Sequence, residues 1–153
     1  MKKREIIILA IVVAIDLISK YYIQSIMTLG DSTMIIKDFF YLTFVHNYGA
    51  AWGMLSGKME LFFVITIVVL VVIGYILFTT DHKKTLLRIA LVVILGGTLG
   101  NFYDRVVFGY VRDFLNFYPL GYDFPVFNVA DSALTIGYVL LAWYLLRHSE
   151  ELE

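Results

Sequence analysis

Two aspartates carry the chemistry this chain can offer: Asp113, in Tyr110-Val111-Arg112-Asp113-Phe114, and Asp131, in Phe127-Asn128-Val129-Ala130-Asp131-Ser132. They stand in a sequence that is 60% apolar. A carboxylate near hydrocarbon is costly, so such a group marks a working site by default. Two acids a few ångströms apart do not both ionise readily; one keeps its proton while the other stays anionic. Such a pair can deprotonate a water with one oxygen while the other carboxyl donates to a scissile carbonyl. Its titration would belong to the pair, not to either residue. Each acid also has a plainer reading. Asn128 suits a helix N-cap and Asp131 the first turn, where an acid meets the positive helix end. Asp113 follows Arg112 in a non-helical stretch, and a surface salt bridge to Arg112 or Arg105 would account for it.

Other hydrolytic chemistries are poorly supplied. The chain of 153 residues has no cysteine, hence no thiol nucleophile, thiolate metal site or disulfide. Two of its three histidines, His82 and His148, fall on the side opposite the acids, leaving His46. That disfavours a histidine metal site or a Ser-His-Asp triad, and no cofactor or metal is expected. Ser19 and Lys20 are adjacent on a helix, point apart and make a poor dyad. A formal charge of −1 gives no electrostatic case for nucleic acid. An aspartyl peptidase is what remains.

The elements that must position the pair are membrane spans. The apolar fraction exceeds the roughly 45–50% of soluble domains, and a bilayer core of about 30 Å needs about 20 helical residues. Four stretches qualify, at about 5–26, 61–80, 86–103 and 131–146. Asp16 and Lys20 interrupt the first after its basic start, so it reads as a retained helix, not a cleaved leader. The second is uncharged scaffold. We read residues 1–153 as one integral-membrane domain.

Seven basic residues, Lys2, Lys3, Arg4, Lys83, Lys84, Arg88 and Arg147, share one side. Both termini are therefore expected in the cytoplasm, with segments 27–60 and 104–130 facing outward. Lys20, Asp104 and Asp131 each lie 16 residues from Arg4, Arg88 and Arg147 respectively. At 1.5 Å per residue that is about 24 Å, which sets three helices' charges at one level just below the outer face. In the outward segments, residues 39–46 are aromatic and β-branched and read as a strand. Residues 115–126 are aromatic too, broken by Pro119, Gly121 and Pro125.

Further polar residues accompany the acids. Asp16 and Lys20 share a helix face at i,i+4, either pairing to orient a site or simply neutralising each other while Lys20 snorkels outward. Gly96 and Gly100 form a small-residue ridge for close helix approach. Asn101, Asp104 and Arg105 follow at i, i+3 and i+4; a buried amide needs partners, which favours a polar scaffold around a site.

These segments, in this order, closely resemble the bacterial lipoprotein signal peptidases (signal peptidase II). The resemblance rests on Asp16-x-x-x-Lys20, Asn47-x-Gly49-Ala50-Ala51-Trp52-Gly53, Gly100-Asn101-x-x-Asp104-Arg105, Val111-x-Asp113-Phe114 and Phe127-Asn128-x-Ala130-Asp131. It implies a mainly α membrane protein: four transmembrane helices, a small extracytoplasmic β-cradle and an outward loop or short helix. It implies an endopeptidase that removes signal peptides from diacylglyceryl-modified prolipoproteins, cutting before the lipidated cysteine. Asp113 and Asp131 would be the catalytic pair. Asp16, Lys20, Asn47, Gly49, Asn101, Asp104, Arg105, Asn128 and Ala130 would bind substrate or support the pair. The strand at 39–46, with Trp52 and segment 114–127, would shape cradle and lid. Partners would be the prolipoprotein and membrane lipid, with the enzyme monomeric and in the bacterial cytoplasmic membrane. Two residues depart from the family pattern. Arg112 replaces an aliphatic residue and is expected to point outward. His46 stands where arginine is frequent, which would make a contact there pH-dependent.

Two rival readings stay open. A small proton-coupled transporter would use Asp16, Lys20, Asp104 and Asp131 as a relay, although no inverted repeat is visible. A noncatalytic assembly factor would dock a partner on the Gly96/Gly100 ridge.

Overall fold

A computed structural model describes residues 1–49 and 57–148. The family-like residues Ala50, Ala51, Trp52 and Gly53 lie outside the described residues. Four helices are long and apolar enough to cross a membrane: α1 (Lys3–Ile26), α2 (Met59–Thr79), α3 (Thr85–Phe108) and α4 (Val129–Arg147). Three strands, β1 (Ser32–Ile36), β2 (Phe40–Asn47) and β3 (Val111–Phe117), form one antiparallel sheet in that spatial order. The expected strand at 39–46 is β2, displaced by one residue. The strands on either side of it complete the expected small β-cradle, at positions that the residue pattern does not mark. A single 3-10 turn at Pro119–Gly121 supplies the short helix after β3.

The third span is longer than expected, running through Phe108 before Gly109 ends it in a left-handed C-cap. Asp104 and Arg105 therefore belong to the helix and not to the segment after it.

α3 is the central element, packing on α1, α2 and α4. Of its most apolar window 56% is buried inside the protein, against 17–22% for the other three helices, whose outer faces are left for lipid. Glycines make this possible. Gly96 faces Val12 and Leu9 of α1; Gly97 faces the Ala130 carbonyl and Leu134 of α4; Gly100 sits against Asp16 and the Ala130 methyl. On α4, Gly137 faces Ile94 and the Ala90 carbonyl. The Gly96/Gly100 ridge is thus filled by the chain's own helices.

The helix ends are tied at opposite poles. At one pole, Glu5 of α1 takes a two-pronged bond from Arg88 of α3, Nε to Oε1 at 2.8 Å and Nη2 to Oε2 at 3.0 Å. Arg88 also donates to the carbonyls of Leu77 and Thr80, which closes the end of α2. At the other pole the sheet rests on α1 and α3. There Ile23, Phe44 and Phe114 form a small apolar core beneath it. A bulge in β2 between Leu42 and Val45 shifts the pairing so that Val45 opposes Asp113, His46 opposes Arg112 and Asn47 opposes Val111.

A methyl group at Gly97 would come within 2.5 Å of a backbone carbonyl, whereas one at Gly74 meets nothing within 4 Å. Overpacking costs about 1–3 kcal/mol, and for a chain of this size each kcal/mol lowers the melting temperature by about 2–4 °C. We therefore expect Gly97→Ala to melt several degrees below wild type in detergent. Gly74→Ala should melt at or slightly above it, since alanine is the better helix former. Equal melting of the two variants would contradict the close seam between α3 and α4.

Candidate active site

The N-terminus of α4 is built by side chains from three other segments. Asn128 is the N-cap: its Oδ1 accepts from the Asp131 amide at 3.0 Å, and Asp131 Oδ2 accepts from the Asn128 amide at 3.1 Å. The Ala130 amide donates to Asp16 Oδ1 of α1 at 2.8 Å. The capping reading of Asn128 and Asp131 is therefore correct, but it does not exhaust either residue. Asp131 turns its other oxygen to the Asn101 amide at 2.7 Å. Asn128 Nδ2 donates to Asp113 Oδ1 at 2.6 Å and to Asn101 Oδ1 at 3.0 Å. Asn47, diagonal to Asp113 across the β2–β3 pair, donates to its Oδ2 at 2.9 Å. One asparagine thus joins both acids.

Beneath this amide layer lies an ionic one. Lys20 Nζ is 2.7 Å from Asp16 Oδ2, 3.0 Å from Asn101 Oδ1 and 3.6 Å from Asp104 Oδ2. All three charged side chains are fully buried, so Lys20 does not snorkel. The contacts of Lys20 through Asn101 to Asp131 also bring the three predicted co-level charges together.

Arg112 corrects an expectation. Its side chain is fully buried, not directed outward. It forks onto Asp104, with Nη2 to Oδ1 at 2.7 Å and Nε to Oδ2 at 3.2 Å. It reaches Gln24 of α1 at 2.9 Å and lies between the rings of Tyr21 and Phe108. Successive strand residues face opposite ways, so Arg112 points behind the sheet while Asp113 points into the site. Asp104 goes with it: although helical spacing set Asp104 beside Asn101 and Arg105, it faces Lys20 and Arg112 and does not line the cavity.

The acids open onto a cavity of about 640 Å³. Asn47, Gly49, Asn101, Arg105, Asp113 and Asp131 give its polar wall; Phe124–Phe127, Leu134, Ile136 and Tyr138 give an apolar one. Gly49 is held by its amide on Asn47 Oδ1 at 2.9 Å. Arg105 stands over the Phe62 ring of α2 at 4.9 Å. Asp16, Lys20, Asp104, Asn128 and Ala130 lie behind the wall. The apolar wall of α4 carried no sequence signal that separates it from ordinary lipid-facing residues. Among the described residues no group of three or more His, Asp or Glu is arranged to hold a metal.

Burial, and next the charge of Asp131, push the Asp113 carboxyl up to about 7, against the opposing bonds from Asn47 and Asn128. On the back of the sheet, burial and then the Arg112 charge hold the His46 ring below its usual value. That ring stacks on Tyr110 at 3.7 Å. The arrangement offers an acid able to hold a proton at neutral pH beside a second acid, on the wall of a largely apolar chamber.

The family model for signal peptidase II matches residues 8–147. Lipoprotein signal peptidases of Staphylococcus aureus strains bovine RF122 / ET3-1 and MRSA252 are 44% identical over 142 residues, covering 93% of this chain and 87% of theirs. Two solved structures, each described as a bacterial membrane enzyme studied by the in meso method, superpose closely. One gives a TM-score of 0.91 at 42% identity, over 98% of this chain and 92% of that one. The other gives 0.86 at 44% identity, over 94% and 92%. With four apolar helices and a three-stranded sheet in the arrangement of those enzymes, the chain belongs to the signal peptidase II family of bacterial membrane peptidases.

Proposed function

We propose that this peptidase cleaves diacylglyceryl-modified prolipoproteins before the lipidated cysteine, using Asp113 and Asp131 as a catalytic pair. The observation that carries the reading is the single asparagine, Asn128, that joins both acids on the wall of one apolar cavity. A signal helix with lipid tails is itself apolar and needs such a chamber, open toward hydrocarbon, with a few polar groups for its backbone. Asn47, Asn101 and Arg105 are placed to meet that backbone at the cavity wall. Lys20, Asp16, Asp104 and Ala130 hold the pair from behind, and Gly49 keeps the wall close to the acids.

In this mechanism a water between the carboxyls loses a proton to the ionised acid and attacks the scissile carbonyl. The protonated acid donates to the carbonyl oxygen, and the tetrahedral adduct collapses with proton transfer to the leaving amine. The apolar wall of α4 and Phe124–Phe127 limits competing water. The basic residues near both termini support a cytoplasmic location for them and a site near the outer face. We further propose that the whole chain works as one membrane domain, as a monomer and without cofactor.

Purified enzyme in detergent should cut a diacylglyceryl-modified prolipoprotein before its cysteine. Asp113→Asn and Asp131→Asn should each lower the rate by at least about 10³-fold while remaining folded, as expected when a catalytic unit loses a member. Full activity in either folded variant would sink the pair. Proton flux in proteoliposomes that follows the acids, without proteolysis, would favour the transporter instead.

A second test uses pH. An Asp113 carboxyl raised from 3.8 to about 7 releases its proton later when folded than when unfolded. Its ionisation therefore subtracts stability progressively as pH rises from about 4 to 7. The melting temperature of Asp113→Asn relative to wild type should increase across that window. Cleavage should fall above pH 7 as the pair loses its retained proton. A rate still rising at pH 9, with no change in relative melting, would contradict the shared proton.

A further inference from the structure

Arg112 is the largest charged side chain buried near the site that the mechanism leaves without a task. Its contacts come from three elements besides its own strand. Asp104 of α3 accepts from the Arg112 backbone amide at 3.0 Å and from Nε and Nη2 of its side chain. One carboxylate thus grips both the main chain and the side chain of the residue before Asp113. Gln24 of α1 accepts from Nη1, and the guanidinium carbon lies 4.2 Å from the Tyr21 ring centroid and 4.4 Å from that of Phe108. Across the strand pair, His46 stands opposite Arg112 and stacks on Tyr110. The next residue in each strand faces the cavity: Asp113 in β3, Asn47 in β2.

We propose that Arg112 is a positioning residue for the catalytic pair: by locking β3 to Asp104 from behind, it fixes where the Asp113 carboxylate stands relative to Asp131. This rests on the assignment of Asp113 and Asp131 as the pair. The strand supplies the linkage, since a rigid fork on residue 112 leaves little freedom for the side chain projecting from the other face at residue 113. The second linkage is ionic. Asp104 is shared between Arg112 and Lys20, and Lys20 also holds Asn101, which donates to Asp131. Without the guanidinium, Asp104 keeps only the residue-112 amide and Lys20, and its uncompensated charge draws Lys20 away from Asn101. Both acids would then lose their placement by different routes.

Only the guanidinium fits this role. A lysine at the position keeps the charge but cannot bond Asp104 with two nitrogens, reach Gln24 and stack between two rings at once. Arg112→Lys should therefore recover only part of what Arg112→Met loses.

The experiment compares wild type, Arg112→Met, Arg112→Lys, Gln24→Leu and Asp113→Asn, all full-length in detergent, with melting temperature, kcat, KM and a pH profile for each. The pH profile covers the groups facing residue 112: Asp104 and Lys20 from α3 and α1, Tyr21 from α1, and His46 from β2. For Arg112→Met we expect kcat to fall 10- to 100-fold with KM within about threefold of wild type. The alkaline limb should move to higher pH, because Asp104 then leaves more negative charge behind Asp113. Arg112→Lys should fall between, and Gln24→Leu should lose less than either. Wild-type kcat and profile in folded Arg112→Met would overturn the proposal. So would a fall in active fraction that tracks melting while the pH profile stays put, since that is plain destabilisation. If Arg112→Met fails to fold, Arg112→Lys and Gln24→Leu decide: unchanged kcat and profile in both overturns it. Cleavage by folded Asp113→Asn would instead overturn the assignment of the pair.

Discussion

The structure depends on how four charges are buried at one end of a helix bundle. Asp16, Lys20, Asp104 and Arg112 are fully shielded, and their formal charges sum to zero. Taking any one of them out of water alone costs several kcal/mol, so each must find its partner for the fold to form. The partners come from α1, α3 and β3, and Asp16 adds the Ala130 amide of α4. Four elements distant in sequence are thereby brought to one point. Apolar packing alone would not do this, because helices in lipid gain little by hiding leucines from lipid tails. The glycine seams on α3 permit the approach; the charges specify it.

That division explains why the two outer acids differ from the two inner ones. Asp16 and Asp104 are bonded to cations, Lys20 and Arg112. Asp113 and Asp131 receive amides from Asn47, Asn101 and Asn128. An amide donor steadies a carboxylate less than a bonded cation does. Burial and mutual repulsion then win at Asp113, whose carboxyl rises to about 7. Lys20 is near enough to matter but is spent on Asp16, Asn101 and Asp104. An arginine one residue from Asp113 would spoil this balance were it on the same strand face. Its pairing with Asp104 on the opposite face keeps the site's charge unspoiled.

Much of this was legible in the sequence, for physical reasons that can be named. Spans α1, α2 and α4 announce themselves by length and apolarity within two residues at each end. The helical rise alone put Lys20, Asp104 and Asp131 at one depth. What stayed hidden depends on contacts between segments. β3 escaped because both its faces are buried and both carry polar groups: Asp113 on one, Arg112 and Asn116 on the other, so no alternation of polarity shows. β1 is exposed throughout and exists only because β2 pairs with it. The end of α3 was placed too early because Asp104 and Arg105 read as the end of apolar sequence, whereas Asp104 is buried by a partner eight residues on. The direction of Arg112 was misread because a cation between two membrane spans ordinarily seeks water. The clasp of Glu5 with Arg88 joins the first turns of two spans 83 residues apart and leaves no local pattern.

Asn128 shows why fold and site here cannot be taken apart. As an N-cap it satisfies the Asp131 amide, and substitution of such a cap costs about 0.5–2 kcal/mol of helix stability. The same side chain, through its other end, donates to Asp113 and Asn101. An amide is the only side chain able to do both, since it offers one acceptor and two donors in a fixed plane. Aspartate would cap equally well but would present a third carboxylate to Asp113. Serine would cap but lacks the reach and the second donor. The bond that starts α4 therefore also sets the spacing of the acids, and the helix that delivers Asp131 is held in place by the residue that orients Asp113.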